Sequence, residues 1–336
     1  SNTLTGTYFD KGDDVTCHVT PNDGTDSGTM QNSNMVTISN TAPVLGTVDL
    51  TPLTSYESST LACTPQSGTY SDDDGDSISF SYDWLIDGSP IGVNSNSLDG
   101  VYFDKHETVA CIVTPNDGTI NGIAITSNVI SINNTIPTIS SATLSSPTNN
   151  VTSELTCTAG STNDIDPADS VSVSYSWTIG GSTVSGQTNN TLPNAEVLRG
   201  DVVACIITPN DGEDNGIPAI SNSITIINTA PAYSGAELTP NPAYEADTIT
   251  CSGLNPSDAD GDSVTPTYAW YVGTSSVPIG ISTSTLTGSY FNKGDSVYCT
   301  VTPDDGLTSG ATVISNTINV INTAPVLGTV DLTPLT

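Results

Sequence analysis

The sequence predicts an all-β protein, a tandem array of antiparallel β-sandwich domains, on three observations. The first is a repeat: Asn-Thr-Ala/Ile precedes a proline at Asn40, Asn134, Asn228 and Asn322, always 94 residues apart. The only four basic side chains, Lys11, Lys105, Arg199 and Lys293, keep the same period. The second is periodicity, because Val109, Cys111 and Val113, and likewise Val297, Cys299 and Val301, alternate as strands do, and almost no helical signal exists. The third is the spacing of seven cysteines, at alternating separations of 46 and 48 residues.

A 94-residue period suits a complete small domain with its own core. The junctions set the expected domains: repeat 1 at 41–134, repeat 2 at 135–228 and repeat 3 at 229–322. Residues 1–40 form the C-terminal part of an incomplete repeat. Thr323 to Thr336 repeats Thr41 to Thr54 letter for letter, so 323–336 reads as the first strand of a following repeat. Both ends are expected to be cuts through a longer array.

Within one repeat the strands can be placed in order. Leu61 and Cys63, Leu155 and Cys157, or Ile249 and Cys251 mark an early strand. Tyr-x-Trp follows at Tyr82 and Trp84, Tyr175 and Trp177, Tyr268 and Trp270. The later cysteine, Cys111, Cys205 or Cys299, sits on a third alternating segment. About seven short strands separated by Gly, Asn, Asp and Pro turns give a sandwich. Regular cysteine pairs without CxxC spacing argue for disulfides and an oxidising, extracellular setting. Within the junctions the pairs are Cys63 with Cys111, Cys157 with Cys205 and Cys251 with Cys299, leaving Cys17 to a partner upstream of Ser1. The rival pairing, Cys17 with Cys63 and so on, would staple neighbouring repeats together.

The Cys, Trp, Cys order, with the phrases YDWLIDGSPI and KGDSVYCTVTPDDG, resembles tandem immunoglobulin-like and PKD-like repeats of giant prokaryotic surface proteins. That resemblance implies an Ig-like sandwich with the first Cys on strand B, the Trp on strand C and the second Cys on strand F. The tyrosine two residues before the second Cys in antibody domains is missing. Folds of this kind serve as stalks, spacers, adhesins and enzyme appendages alike, so the resemblance says little about function.

Thirty-six acidic against four basic residues give a formal charge of -32, although only 12% of residues are charged. Phosphate binding needs a basic face, so nucleic acid is excluded as a partner. No run of 18 apolar residues occurs, so no membrane-spanning helix is expected in this segment.

The acid is mostly Asp, placed in loops, and a cluster recurs between the first two marked strands: Asp72, Asp74 and Asp76; Asp164, Asp166 and Asp169; Asp258, Asp260 and Asp262. Alternating carboxylates on a tight turn aim several oxygens at one point, as a hard cation with six to eight oxygen ligands requires, and calcium is its natural occupant. In the Ig-like topology the B–C and F–G loops meet at one end of the domain. Asn116 and Asp117, Asn210 and Asp211, and Asp304 and Asp305 would then join the cluster, beside the junction asparagine. The alternative is that Asp, Gly and Asn supply only turn chemistry.

The lone cation of each repeat lies in the turn before strand F, at the opposite end of the domain, where it would face the next repeat's Asp cluster. Arg199-Gly200-Asp201 spells an integrin-binding tripeptide. Other repeats carry Lys-Gly-Asp or Lys-His-Glu there, so a turn is the better reading. A Lys–Asn isopeptide crosslink could use the single lysine, but Arg199 cannot form one. His18 and His106 occupy different offsets, so no repeat carries an acid–base or nucleophile constellation and no enzyme is expected.

The expected role is structural: a segment of a long extracellular, cell-surface filament, stalk or spacer, rigidified by calcium and partnered by neighbouring repeats or other copies. The competing reading is an adhesin or carbohydrate-binding array whose partners are cell-surface glycans or proteins. Such a module needs clustered exposed aromatics, whereas aromatics make up 6% and the recurring ones look structural.

Overall fold

The computed structural model describes residues 1–330 and is all-β, a tandem series of disulfide-bearing Ig-like sandwiches. The last six residues of the strand expected at 323–336 lie outside the described residues, and 323–330 form no strand. Two compact units make up the chain. One holds Ser1–Thr138, Thr162–Ser172 and Asn210–Gly216; the other holds Ile139–Ser161, Val173–Pro209 and the chain from Ile217 onward.

The first unit contains repeat 1, in two sheets. Strands β1 (Val48–Thr51), β2 (Leu61–Pro65) and β4 (Ser97–Leu98) form one sheet, and β3 (Ser79–Ile86) pairs antiparallel with β5 (Thr108–Asn116) in the other. Strand β6 (Ile130–Asn133) pairs with β5 and, in parallel, with Ser55–Tyr56. Alternation along β5 sends Val109, Cys111 and Val113 inward. There they pack with Trp84, Leu50, Leu61 and Ile132, all at most 1% exposed.

The second unit repeats the pattern. For repeat 2, β7 (Ala142–Ser145), β8 (Leu155–Ala159) and β10 (Thr191–Leu192) face the sheet of β9 (Ser172–Ile179), β11 (Val202–Asn210) and β12 (Ile224–Thr225). For repeat 3, β13 (Gly235–Thr239), β14 (Thr248–Leu254) and β16 (Thr285–Thr287) face β15 (Thr265–Val272), β17 (Ser296–Asp304) and β18 (Ile318–Ile321).

Cys63 bonds to Cys111, Cys157 to Cys205 and Cys251 to Cys299, each closing a 48-residue separation, and Cys17 is exposed and unbonded. Every disulfide joins the two sheets beside a fully buried tryptophan: Trp84 is registered opposite Cys111 and Trp270 opposite Cys299. A buried indole N–H needs an acceptor. It donates to Ser95 O at 2.9 Å, Asn189 O at 3.0 Å and Thr283 O at 2.8 Å.

A second inter-sheet tie was not anticipated. Asn128 accepts from Leu50 N at 2.8 Å and donates to Leu50 O at 3.1 Å, satisfying both backbone groups of a buried residue on the facing sheet. Asn222 does the same for Leu144, and Asn316 accepts from Leu238 N.

Candidate functional site

The B–C loops of all three repeats are built on one plan. The first aspartate folds the loop around its own carboxylate: Asp72 Oδ1 accepts from the N–H of Asp74 at 2.9 Å and of Asp76 at 3.3 Å, and Asp258 Oδ1 from Asp260 at 2.9 Å and Asp262 at 3.1 Å. Asp164 Oδ1 accepts from Asp166 N at 3.0 Å. This is the Asx turn chemistry that Asp is selected for. The second aspartate reaches back to the junction, where Asp74, Asp166 and Asp260 accept the backbone N–H of Thr41, Thr135 and Thr229 at 2.6, 2.7 and 2.6 Å.

The third aspartate meets the basic residue of the preceding repeat. Lys11 donates to Asp76, Lys105 Nζ to Asp169 Oδ2 at 2.6 Å, and Arg199 to Asp262. Each cation also donates to the junction asparagine of its own repeat: Lys11 to Asn40 at 3.0 Å, Lys105 to Asn134 at 3.0 Å and Arg199 to Asn228 at 2.6 Å. The asparagine uses its other end on the F–G loop, donating to Asp117 at 2.7 Å, Asp211 at 2.9 Å and Asp305 at 2.7 Å. Arginine stands in for lysine at Arg199 with the same partners, so this position calls for a fixed cation rather than a nucleophilic amine. Arg199 is thereby engaged, and Asp201 Oδ2 accepts from Leu198 N at 2.8 Å, so Arg199-Gly200-Asp201 is built as a turn.

The electrostatics follow the contacts. Hydrogen bonding to Asp76, Asp169 and Asp262 holds Lys11, Lys105 and Arg199 above their ordinary values. Burial pushes the Asp211 carboxyl up. Donation from Asn134, the N–H groups of Asp214 and Glu213, and the Lys105 charge outweigh it and bring the group down to about 2. Donation from Asn228, then from Thr308 N–H, holds Asp305 at about 2 against burial. Asn40 lowers Asp117 in the same way. Burial raises Glu57, aided by the charges of Asp166, Asp104 and Asp169, although the Lys105 N–H donates to it.

Of the expected ligands, two groups have carboxylate oxygens within 4.8 Å of one another among the described residues: Asp72, Asp76 and Asp117, and Asp164, Asp169 and Asp211. The first residue of each F–G pair is used elsewhere. Asn116, Asn210 and Asp304 accept the N–H of Gly118, Gly212 and Gly306 at 2.7, 2.9 and 2.9 Å, inside their own turn. The junction threonines Thr41, Thr135 and Thr229 were missed as site residues, although they recur beside the junction asparagine at the repeat period.

An oxygen-only donor set is what a hard divalent cation takes. Its fit here rests on side-chain oxygens that are buried and without a hydrogen-bond partner: Asp72 Oδ2, Asp164 Oδ2, Asp166 Oδ1, Asp258 Oδ2 and Asp260 Oδ1, with the hydroxyls of Thr135 and Thr229. Buried carboxylate oxygens without partners are unfavourable. A calcium ion would give them one.

No protein-family model matches the chain, and no curated protein does. Among solved structures it is similar to a calcium-stabilised adhesin that helps an Antarctic bacterium reach out and bind ice, at 14% identity and TM-score 0.34, over 92% of this chain and 81% of that one. It is similar to the chicken CNTN1 FN1–FN3 domains, at 12% identity and TM-score 0.25, over 84% and 98%. It also resembles the N-terminal eight Ig domains of Down Syndrome Cell Adhesion Molecule, at 11% identity and TM-score 0.36, over 88% and 38%. At such scores these likenesses carry no weight for function.

Proposed function

We propose that the chain is a structural segment of a long extracellular filament, stalk or spacer, in which Ig-like repeats are joined by rigid, cation-bridged junctions. The observation that carries this reading is the threefold recurrence of one cross-junction network. Lys or Arg, the junction Asn, the junction Thr N–H and three Asp side chains take the same partners at the boundaries after Asn40, Asn134 and Asn228. A flexible linker would need none of these contacts. Proline after each junction adds to the stiffness by fixing its own φ and keeping the preceding residue extended. Three disulfides support an oxidising, extracellular location.

Calcium enters as a second cation at the same boundaries. When bound it would neutralise carboxylates that a single Lys or Arg leaves in excess, and the aspartates of the B–C loop would hold it. The chain's own residues do the rest: the asparagine sets the distance between the F–G loop and the cation, and the threonine N–H anchors the B–C loop to the junction strand.

Small-angle scattering and electron imaging of the chain test the reading. A stiff rod should advance by about 40 Å per repeat, if strands of ~8 to 10 residues rise ~3.3 Å each and loops add the rest. Freely jointed beads, with or without calcium, would sink it.

A further inference from the structure

The buried side-chain polar atoms without a partner are not scattered. Among the described residues there are seven, and all lie at the junctions in equivalent places. Six form two matching triples: Asp164 Oδ2, Asp166 Oδ1 and Thr135 Oγ1, then Asp258 Oδ2, Asp260 Oδ1 and Thr229 Oγ1. The seventh is Asp72 Oδ2, the first-junction counterpart of Asp164 and Asp258.

Within a triple, the other oxygen of each carboxylate is committed. Asp164 Oδ1 and Asp258 Oδ1 accept N–H groups of their own loop. Asp166 Oδ2 and Asp260 Oδ2 accept the N–H of Thr135 and Thr229, which brings the second carboxylate to the residue that carries the third orphan atom. Asp166 is 1% exposed, so bulk water does not serve its free oxygen. The tethered cation does not serve it either, because Lys105 is directed to Asp169, Asn134 and Glu213, and Arg199 to Asp262 and Asn228.

We infer that the second and third junctions each hold one calcium ion on an inner site formed by the first two B–C aspartates and the junction threonine hydroxyl: Asp164, Asp166 and Thr135, and Asp258, Asp260 and Thr229. Two carboxylate oxygens and a hydroxyl supply hard oxygen donors and two negative charges to a divalent cation that completes its shell with carbonyls or water. The third aspartate takes the lysine or arginine and the F–G aspartate takes the junction asparagine, and at the second junction both carboxylates lie within 4.8 Å of that of Asp164. The second and third boundaries thus each carry a covalently tethered monovalent cation and an exchangeable divalent one. The inference rests on the calcium part of the proposed function and goes past it by naming the atoms.

Calorimetric titration of the full chain with calcium chloride tests it. Two tight sites per chain are expected. Asp166→Asn and Asp260→Asn should each remove one of them, weakening it roughly tenfold or more, whereas Asp169→Asn and Asp262→Asn should shift affinity by no more than about threefold. Thr135→Val keeps the side-chain shape and should weaken the second-junction site alone, which maintains the test if an Asp variant misfolds. Loss of binding through Asp169→Asn and Asp262→Asn, with Asp166→Asn and Thr135→Val silent, would overturn the inner site and leave calcium stiffening intact. Absence of binding at millimolar calcium would overturn both, leaving the spacer reading to scattering.

Discussion

His106 Nε2 lies 2.9 and 3.0 Å from the two carboxylate oxygens of Glu213, and each partner replaces a different residue used elsewhere. Gly12, Gly200 and Gly294 occupy the histidine's position, and Thr25, Thr119 and Leu307 the glutamate's. His106 adopts φ 69, in the left-handed region that its three glycine counterparts enter freely. One junction therefore combines a strained backbone with a cross-junction pair, and Glu213 also accepts from Lys105 at 3.0 Å.

His106→Gly should consequently be tolerated. Relief of the left-handed conformation contributes about 1 kcal/mol, while an exposed pair contributes little once salt screens it. In high salt the variant is expected to melt at or above the parent temperature, and a clear drop in calorimetric melting would show that the Glu213 contact outweighs the strain.

The F–G aspartates make the junctions acid-sensitive. Asp211 and Asp305 titrate at about 2 when folded, below the ordinary 3.8. A depressed carboxyl stabilises the folded state fully above its unfolded value, and that contribution disappears as pH falls through the folded value. Junction contacts should hold above about pH 4 and weaken progressively toward pH 2. Limited proteolysis with an acid-active protease across this window should cut near Asn134 and Asn228 before the disulfide-closed cores open. Uniform cutting would count against the assignment.

The buried asparagine tie gives a test of the sandwich itself. Asn222→Ala strands the N–H and C=O of buried Leu144, and a buried unsatisfied backbone group costs roughly 1–3 kcal/mol. Denaturant unfolding of repeat 2 should shift by that order. A Ser variant should recover little, since its hydroxyl is too short to span both groups.

How far these features could be read from sequence depends on whether they are local or long-range. The sandwich strands were legible because Val109, Cys111 and Val113 alternate within one segment, and the acidic loops because Asp72, Asp74 and Asp76 crowd one turn. The facing of Lys105 toward the following Asp cluster could also be reasoned, since an Ig-like topology puts the E–F turn and B–C loop at opposite ends. Which carboxylate oxygen is left over could not. Asn116 and Asp117 look equivalent in sequence and both close the turn, yet only Asp117 also takes the Asn40 amide. The Asn222 tie bridges 78 residues and imitates an ordinary turn asparagine.

The disulfides should dominate the stability of each repeat. Closing a loop of about 48 residues stabilises a fold by roughly 3 to 4 kcal/mol on the chain-entropy view. The Cys157→Ala, Cys205→Ala double variant is expected to unfold repeat 2 at markedly lower denaturant while repeats 1 and 3 keep their transitions. Coincident loss of all three would mean that the junctions couple the domains into one cooperative unit.

The tethered cations and calcium should be separable. Removing Lys105 with Met leaves Asp169, Glu213 and the Asn134 carbonyl without their shared donor, so like charges at the second junction repel more strongly. Arg199→Lys keeps the charge and should be nearly silent, although it loses the two-nitrogen contact to Asp262. Chelation should raise flexibility and lower melting in the parent chain, and do so more severely in Lys105→Met, where neither cation then remains at that boundary. Scattering-derived stiffness and protease resistance around Asn134 measure both effects. If Lys105→Met is as stiff as the parent in chelator, the boundary is held by proline and packing, and the charged network only decorates it.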